Sequence, residues 1–178
     1  MQKMKTKYLV YAAVAIALAM VTSRIKLFSL PMGGEVTLLS MLFVVLVGYW
    51  YGPGPGFAAG AAYGLLQFVI EPYFFTIPQV IVDYPLAFGA LGLSGFFHNS
   101  PNGLAKGYLV AVIGRGVFAF LSGWIFFGAY AADYGMSAQM YSLAYNGSYL
   151  AAEAVITVIV IHLPPVKKAV EYVKRMAV

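Results

Sequence analysis

The chain has 178 residues, 62% of them hydrophobic and 10% charged, with a mean hydropathy of +0.82. Ordinary globular domains are about half apolar and about 25% charged, so a soluble fold of this size could not hide the apolar surface, and the composition specifies an integral membrane protein. Cysteine is absent, which excludes disulfides and thiolate metal sites, and the net charge of +5 poses the question of which loops hold Lys and Arg, not one of nucleic-acid binding.

A membrane-crossing helix takes about 20 apolar residues, so one domain over residues 1–178 has room for roughly six spans. Lys3, Lys5 and Lys7 precede the first apolar stretch, Tyr8 to Val21. A secretory signal peptide starts similarly, but no cleavage site and polar mature domain follow, so a first transmembrane helix is expected. The second span is expected over Val36 to Tyr51, ended by the turn GPGPG at 52–56. The third runs from Phe57 to Ile70, the fourth from Gln79 to Phe97. The polar turn HNSPNGLAK (98–106) leads to a fifth span, Gly107 to Phe127, and a sixth, Tyr145 to Leu163. Pro164 and Pro165 stop the last helix before a basic tail.

The expected fold is thus an all-α integral membrane protein with six transmembrane helices. Six crossings put both termini on one side, with Lys3, Lys5, Lys7, Lys106, Lys167, Lys168, Lys174 and Arg175; the opposite side holds only Arg24 and Lys26. The positive-inside rule then places both termini in the cytoplasm of a cell whose plasma membrane the chain crosses.

Glu35, Glu71, Asp83 and Asp133 all fall on or near the outer side, among many Tyr and Phe. A flat organic cation is attracted by such carboxylates through Coulomb forces and by ring faces through their quadrupole. An interfacial aromatic belt is the other reading of these rings. Asp83 opens an apolar run and reads either as a helix N-cap ahead of Pro85 or as a functional intramembrane acid. Glu35, after Gly33-Gly34, admits the same two readings. In YSLAYNGSYLAAE (141–153), helical spacing sets Asn146, Tyr149 and Glu153 on one face. Asn146 reads as a ligand group there, while Tyr149 and Glu153 read as hydrogen-bonding glue between helices. Arg115 either snorkels to headgroups or pairs with a buried acid. Ala13 and Ala17 share a small-xxx-small spacing, as do Ala15 and Ala19. There is no P-loop, HExxH or GxSxG, and His98 and His162 stand alone, so enzyme activity has no residues to rest on.

GGEVTLLSM (33–41), YGLLQF (63–68), QVIVDYPLAFGALGLSGFF (79–97), SGWIFFGAYA (122–131) and YSLAYNGSYL (141–150) resemble, in order, the thiamine-specific S components of energy-coupling factor transporters. The resemblance implies a six-helix protein that captures thiamine from outside and works with a transmembrane coupling protein and two cytosolic ATPase subunits. These partners hydrolyse ATP, so the chain itself needs no cofactor. By the resemblance, Glu35, Tyr73, Asp83, Tyr84, Phe127, Tyr141 and Asn146 align with ligand-pocket positions. Asp83 is then counter-charge to the thiazolium, and Glu35 an acceptor for the aminopyrimidine or a second counter-charge. Asn146 and Tyr141 would bond pyrimidine edges, and Phe127, Tyr84 and Tyr73 would give ring contacts. Ala13 and Ala17 would face the coupling protein. The chain departs from the family at Ala119, where a His is frequent, and at Phe127, where a Trp is frequent. These departures make Trp124 an alternative aromatic platform, and Pro31 to Gly34 stand where some members place a further Trp. The rival readings are an S component for another vitamin, and a stand-alone secondary transporter.

Overall fold

The computed structural model describes residues 2–178, with side chains from Thr6 onward; the side chains of Lys3 and Lys5 lie outside the described set. The main elements are α1 (Gln2–Ser23), a hairpin of β1 (Lys26–Ser29) and β2 (Glu35–Thr37), α2 (Ser40–Tyr51) and α3 (Pro53–Ile70). After these come a composite helix α4 (Ile77–Phe97), α5 (Gly103–Phe126), α6 (Ala138–His162) and α7 (Pro164–Ala177). A 3-10 segment, Gly128–Tyr134, joins α5 to α6.

Among the described residues, four helical stretches are long and apolar enough to cross a membrane: Thr6–Ser23 in α1, and all of α4, α5 and α6. The expected second span is corrected. Val36 and Thr37 leave it, joining Glu35 in a strand that pairs with β1, with Ser29 opposite Glu35 and Phe28 opposite Val36, so the fold is mostly helical, not all-α. The remaining α2 has 12 residues, about 18 Å of helix against a hydrocarbon core of about 30 Å. The GPGPG turn also shrinks, to Gly52 alone (φ 89°), because Pro53 sits in the first turn of α3, where its missing N–H costs nothing. The last long helix begins seven residues before the expected Tyr145, capped by Ser137 Oγ, which accepts from Met140 N at 3.3 Å. Tyr141 and Asn146 therefore both ride on α6.

Inside a membrane, helices gain little from the hydrophobic effect and associate through close packing. Here the close approach comes from glycine: a Cβ on Gly92 of α4 would lie 2.6 Å from the Cα of Phe57 in α3. Ser94 Oγ donates to Val45 O at 3.0 Å, tying α4 to α2 at the same level. Ala12, Ala15 and Ala19 of α1 are buried against this layer, whereas Ala13 and Ala17 face outward. Tyr51 connects three elements at this end of the bundle: its ring meets Tyr8 edge-on at 5.1 Å, and its hydroxyl donates to Ala177 O at 3.2 Å. Lys174 of α7 donates to His98 O at 2.6 Å and sits 3.9 Å over the Tyr49 ring. The hairpin, the 71–76 loop and the 3-10 segment gather at the other end.

Candidate functional site

The loop and hairpin end encloses a cavity of about 460 Å³, within the range of small-molecule sites. Six of the seven ligand positions expected from sequence line it: Tyr73, Asp83, Tyr84, Phe127, Tyr141 and Asn146. Glu35 does not. It stands on β2, and its carboxylate takes Lys26 Nζ at 2.5 Å across the hairpin.

Asp83 is not a helix cap. The N-cap of α4 is Thr76, whose side chain accepts from Gln79 N at 3.2 Å, with Pro78 in the first turn. Asp83 lies further on, inside a π-helical turn, Val82–Leu86, that also contains Pro85. Such wide turns occur mostly as single turns within α-helices and are frequent at functional sites. Gln79 Nε2 donates to Asp83 Oδ2 at 2.7 Å. The same amide accepts from Phe75 N at 3.0 Å and donates to Tyr73 O at 3.3 Å. Gln79, fully buried, therefore couples the acid to the 71–76 loop. Tyr84 holds that loop too: its hydroxyl accepts from Tyr73 N at 3.1 Å and donates to Glu71 O at 3.3 Å. Arg24 pairs with Glu71 and fastens the loop to the end of α1.

Rings form the opposite wall. Phe127 has its centroid 5.6 Å from Tyr73 and 6.5 Å from Tyr130, the latter near-parallel. Hydrogen bonding to Tyr130, helped by burial, pushes the Tyr73 phenol above its ordinary pKa, so it stays a neutral donor. On α6, Tyr141 lies 6.0 Å from Tyr145. Asn146 sits at the floor, where Gly123 gives it room: a Cβ there would come within 3.0 Å of Nδ2. Its amide donates to Ala119 O and Ser142 O, both at 3.1 Å, and Oδ1 accepts from Tyr149 at 3.2 Å. Asn146 is thus helix–helix glue as well as lining.

Among the lining residues Asp83 carries the only formal charge. An uncompensated carboxylate beneath an aromatic wall suits a flat cation, because both Coulomb and quadrupole terms favour it in a poorly hydrated site. Arg115 does not snorkel: its guanidinium carbon lies 4.2 Å over the Phe88 ring, within electrostatic reach of Asp83 but in no close ion pair among the described residues. Trp124 is no substitute platform. It faces outward, 6.0 Å from Phe120, and does not line the cavity.

Sequence reasoning missed Gln79, Tyr145 and Met32 as lining groups. Gln79 was detectable as an i, i+4 partner of Asp83, and Tyr145 as an i, i+4 neighbour of Tyr141; Met32 had no such signal.

A family model described as "Thiamine transporter protein" matches residues 9–173. The thiamine transporter ThiT of Bacillus subtilis is 34% identical, covering 76% of this chain and 77% of that protein. ThiT of Lacticaseibacillus paracasei is 32% identical over 60% of this chain and 61% of its own length. A solved structure of ThiT from Listeria monocytogenes superposes with a TM-score of 0.76 at 26% identity, covering 88% of this chain and 92% of that one. With a family match across nearly all its length and a multi-pass helical fold to go with it, the chain belongs to the thiamine transporter family, whose members are transporters and not enzymes.

Proposed function

We propose that the chain is the thiamine-binding S component of an energy-coupling factor transporter, and that the cavity described above is its vitamin site. The observation that carries this reading is the isolation of Asp83 as the one formal charge within an aromatic cavity. Thiazolium is a permanent cation, so the acid would offset it without a proton transfer. Tyr73, Phe127 and Tyr141 would take the ring faces, and Asn146 Oδ1 would accept from the aminopyrimidine. Glu35, held by Lys26, would act at the rim and not as a direct counter-charge.

The direction of transport follows from charge. Lys106, Lys167, Lys168, Lys174 and Arg175 sit at the end away from the cavity, while Arg24 and Lys26 at the cavity end are each paired with an acid. The positive-inside rule therefore turns the cavity outward and both termini into the cytoplasm. A transmembrane coupling protein would dock on the outward Ala13 and Ala17 of α1 and transmit ATP hydrolysis from two ATPase subunits.

Isothermal titration of the detergent-purified chain with thiamine, riboflavin and pyridoxine tests the ligand; thiamine alone should bind tightly. Equal or tighter binding of riboflavin would transfer the site to another vitamin. Proteoliposomes holding this chain alone should accumulate no thiamine, and uptake by it alone would make it a secondary transporter. Calorimetry is preferable to indole fluorescence, since neither Trp50 nor Trp124 lines the cavity.

A further inference from the structure

Glu153 lies below the cavity floor on α6, takes no part in the lining, and is almost fully buried, at 3% exposure. Its carboxyl group gathers three donors from one short stretch of chain. Oε2 accepts from Thr37 N at 3.1 Å and from Thr37 Oγ1 at 2.9 Å, and Oε1 accepts from Ser40 Oγ at 3.4 Å. Ser40 Oγ also lies 2.7 Å from Thr37 Oγ1, so its one proton is shared between that hydroxyl and the carboxyl group. Thr37 ends β2 and Ser40 begins α2, so the carboxyl group grips the root of the β1–β2 hairpin.

The hairpin needs this grip. Strands of four and three residues cannot hold together by themselves in water. Its inner face lies along a stripe of α6 spaced i, i+4, i+8: Tyr145, Tyr149 and Glu153. A Cβ on Gly34 would lie 2.9 Å from Tyr149 Cδ1, and one on Gly33 would lie 3.8 Å from Tyr145 Cε2. Val36 is fully buried and Met32, at the tip, lines the cavity. Between hairpin and α2 stands Leu39, with φ 59° and ψ 23°, a left-handed conformation that leucine rarely adopts and that persists only where its surroundings impose it.

We infer that Glu153 is the positioning residue that holds the β1–β2 hairpin closed over the cavity, and that it sets how long a bound ligand stays. It touches no ligand itself. Hydrogen bonds to a buried carboxylate are among the stronger ones, and losing one partner leaves the others unsatisfied. The ligand part of the inference rests on the thiamine reading above, whereas the hairpin part does not.

The test uses Glu153→Gln, whose amide can no longer accept from all three donors, and Thr37→Val, which removes one hydroxyl and keeps the shape. Hydrogen exchange of the ligand-free chain should speed up by about tenfold or more over residues 26–37 in both variants, with α5 and α6 unchanged. Stopped-flow measurements should show thiamine release faster by a similar factor and association within about twofold of wild type. Unchanged exchange in the hairpin overturns the inference, whether or not thiamine binds. Exchange that rises equally along the whole chain in both variants also overturns it, because Glu153 would then be a general packing group. If wild type fails to bind thiamine while hairpin exchange still rises selectively, the functional reading falls and the hairpin anchor stands.

Discussion

At the end away from the cavity, α3 and α4 meet backbone to backbone. Gly56 faces Gly92 and Gly48, and Gly95 faces Gly52 and Pro53, with almost no side chain between them. Toward the cavity the two helices stay close on that side, where a Cβ on Gly64 would run into the Tyr84 carbonyl, while on another side of α4 Gln79 and Asp83 line the cavity beside a π turn. One helix thus serves as a close-packed strut on one side and a polar wall on another. On the α4 side, Gln79 and Tyr84 spend their hydrogen bonds on the 71–76 loop, whereas Ser142 and Asn146 across the cavity bond the backbone of α5.

This contrast can be broken from either side. The largest effect is expected at Asp83. Asp83→Asn keeps the shape and removes the charge, so thiamine affinity measured by calorimetry should fall by about 2–5 kcal/mol, with the helical circular dichroism unchanged. Retained affinity would show that the carboxylate is not the counter-charge. Next comes Gly92→Ala, which forces a methyl group against the backbone of Gly56 and Phe57. It should cost about 1–3 kcal/mol of stability, read as a lower melting temperature in detergent, while thiamine affinity in the surviving fold stays near wild type. Phe127→Leu removes the ring packed between Tyr73 and Tyr130, and should weaken thiamine binding by about 0.5–1.5 kcal/mol. The smallest effect is expected for Lys26→Gln, which breaks an exposed cross-strand pair with Glu35. It should shift stability by less than about 1 kcal/mol and vanish in high salt; a clear gain in thiamine affinity would show that the freed Glu35 acts on the cation directly.

The strut was easier to read from sequence than the wall. Long apolar runs locate α1, α4 and α5 to within a few residues, because length and hydropathy are what a bilayer selects. Convergence of Tyr73, Asp83, Tyr84, Phe127, Tyr141 and Asn146 was also legible, through the order of motifs shared with a family. Local geometry was not. Glu35 after two glycines reads as an acid at a helix start, and only pairing with Lys26–Ser29 makes it a strand residue. Asp83 before Pro85 looked like a cap, yet Thr76 and Pro78 already supplied that function seven residues upstream. Glu153 was read as interhelical glue; its partners prove to be 116 and 113 residues away in the chain, at the root of a hairpin. No local pattern records a contact of that separation.

The wide turn at Val82–Leu86 has a further consequence. A π turn holds one residue more than an α turn between the same hydrogen-bonded ends. Were that surplus residue absent, the helix would close to ordinary pitch, and everything upstream would swing by about 100° relative to Ala87 and beyond. Gln79 and the carboxyl group it bonds could not then keep both their present directions relative to Ala87 and their contact with the 71–76 loop. A single unit of extra chain is what lets a membrane-buried rod present its acid inward at one level and its glycines at another.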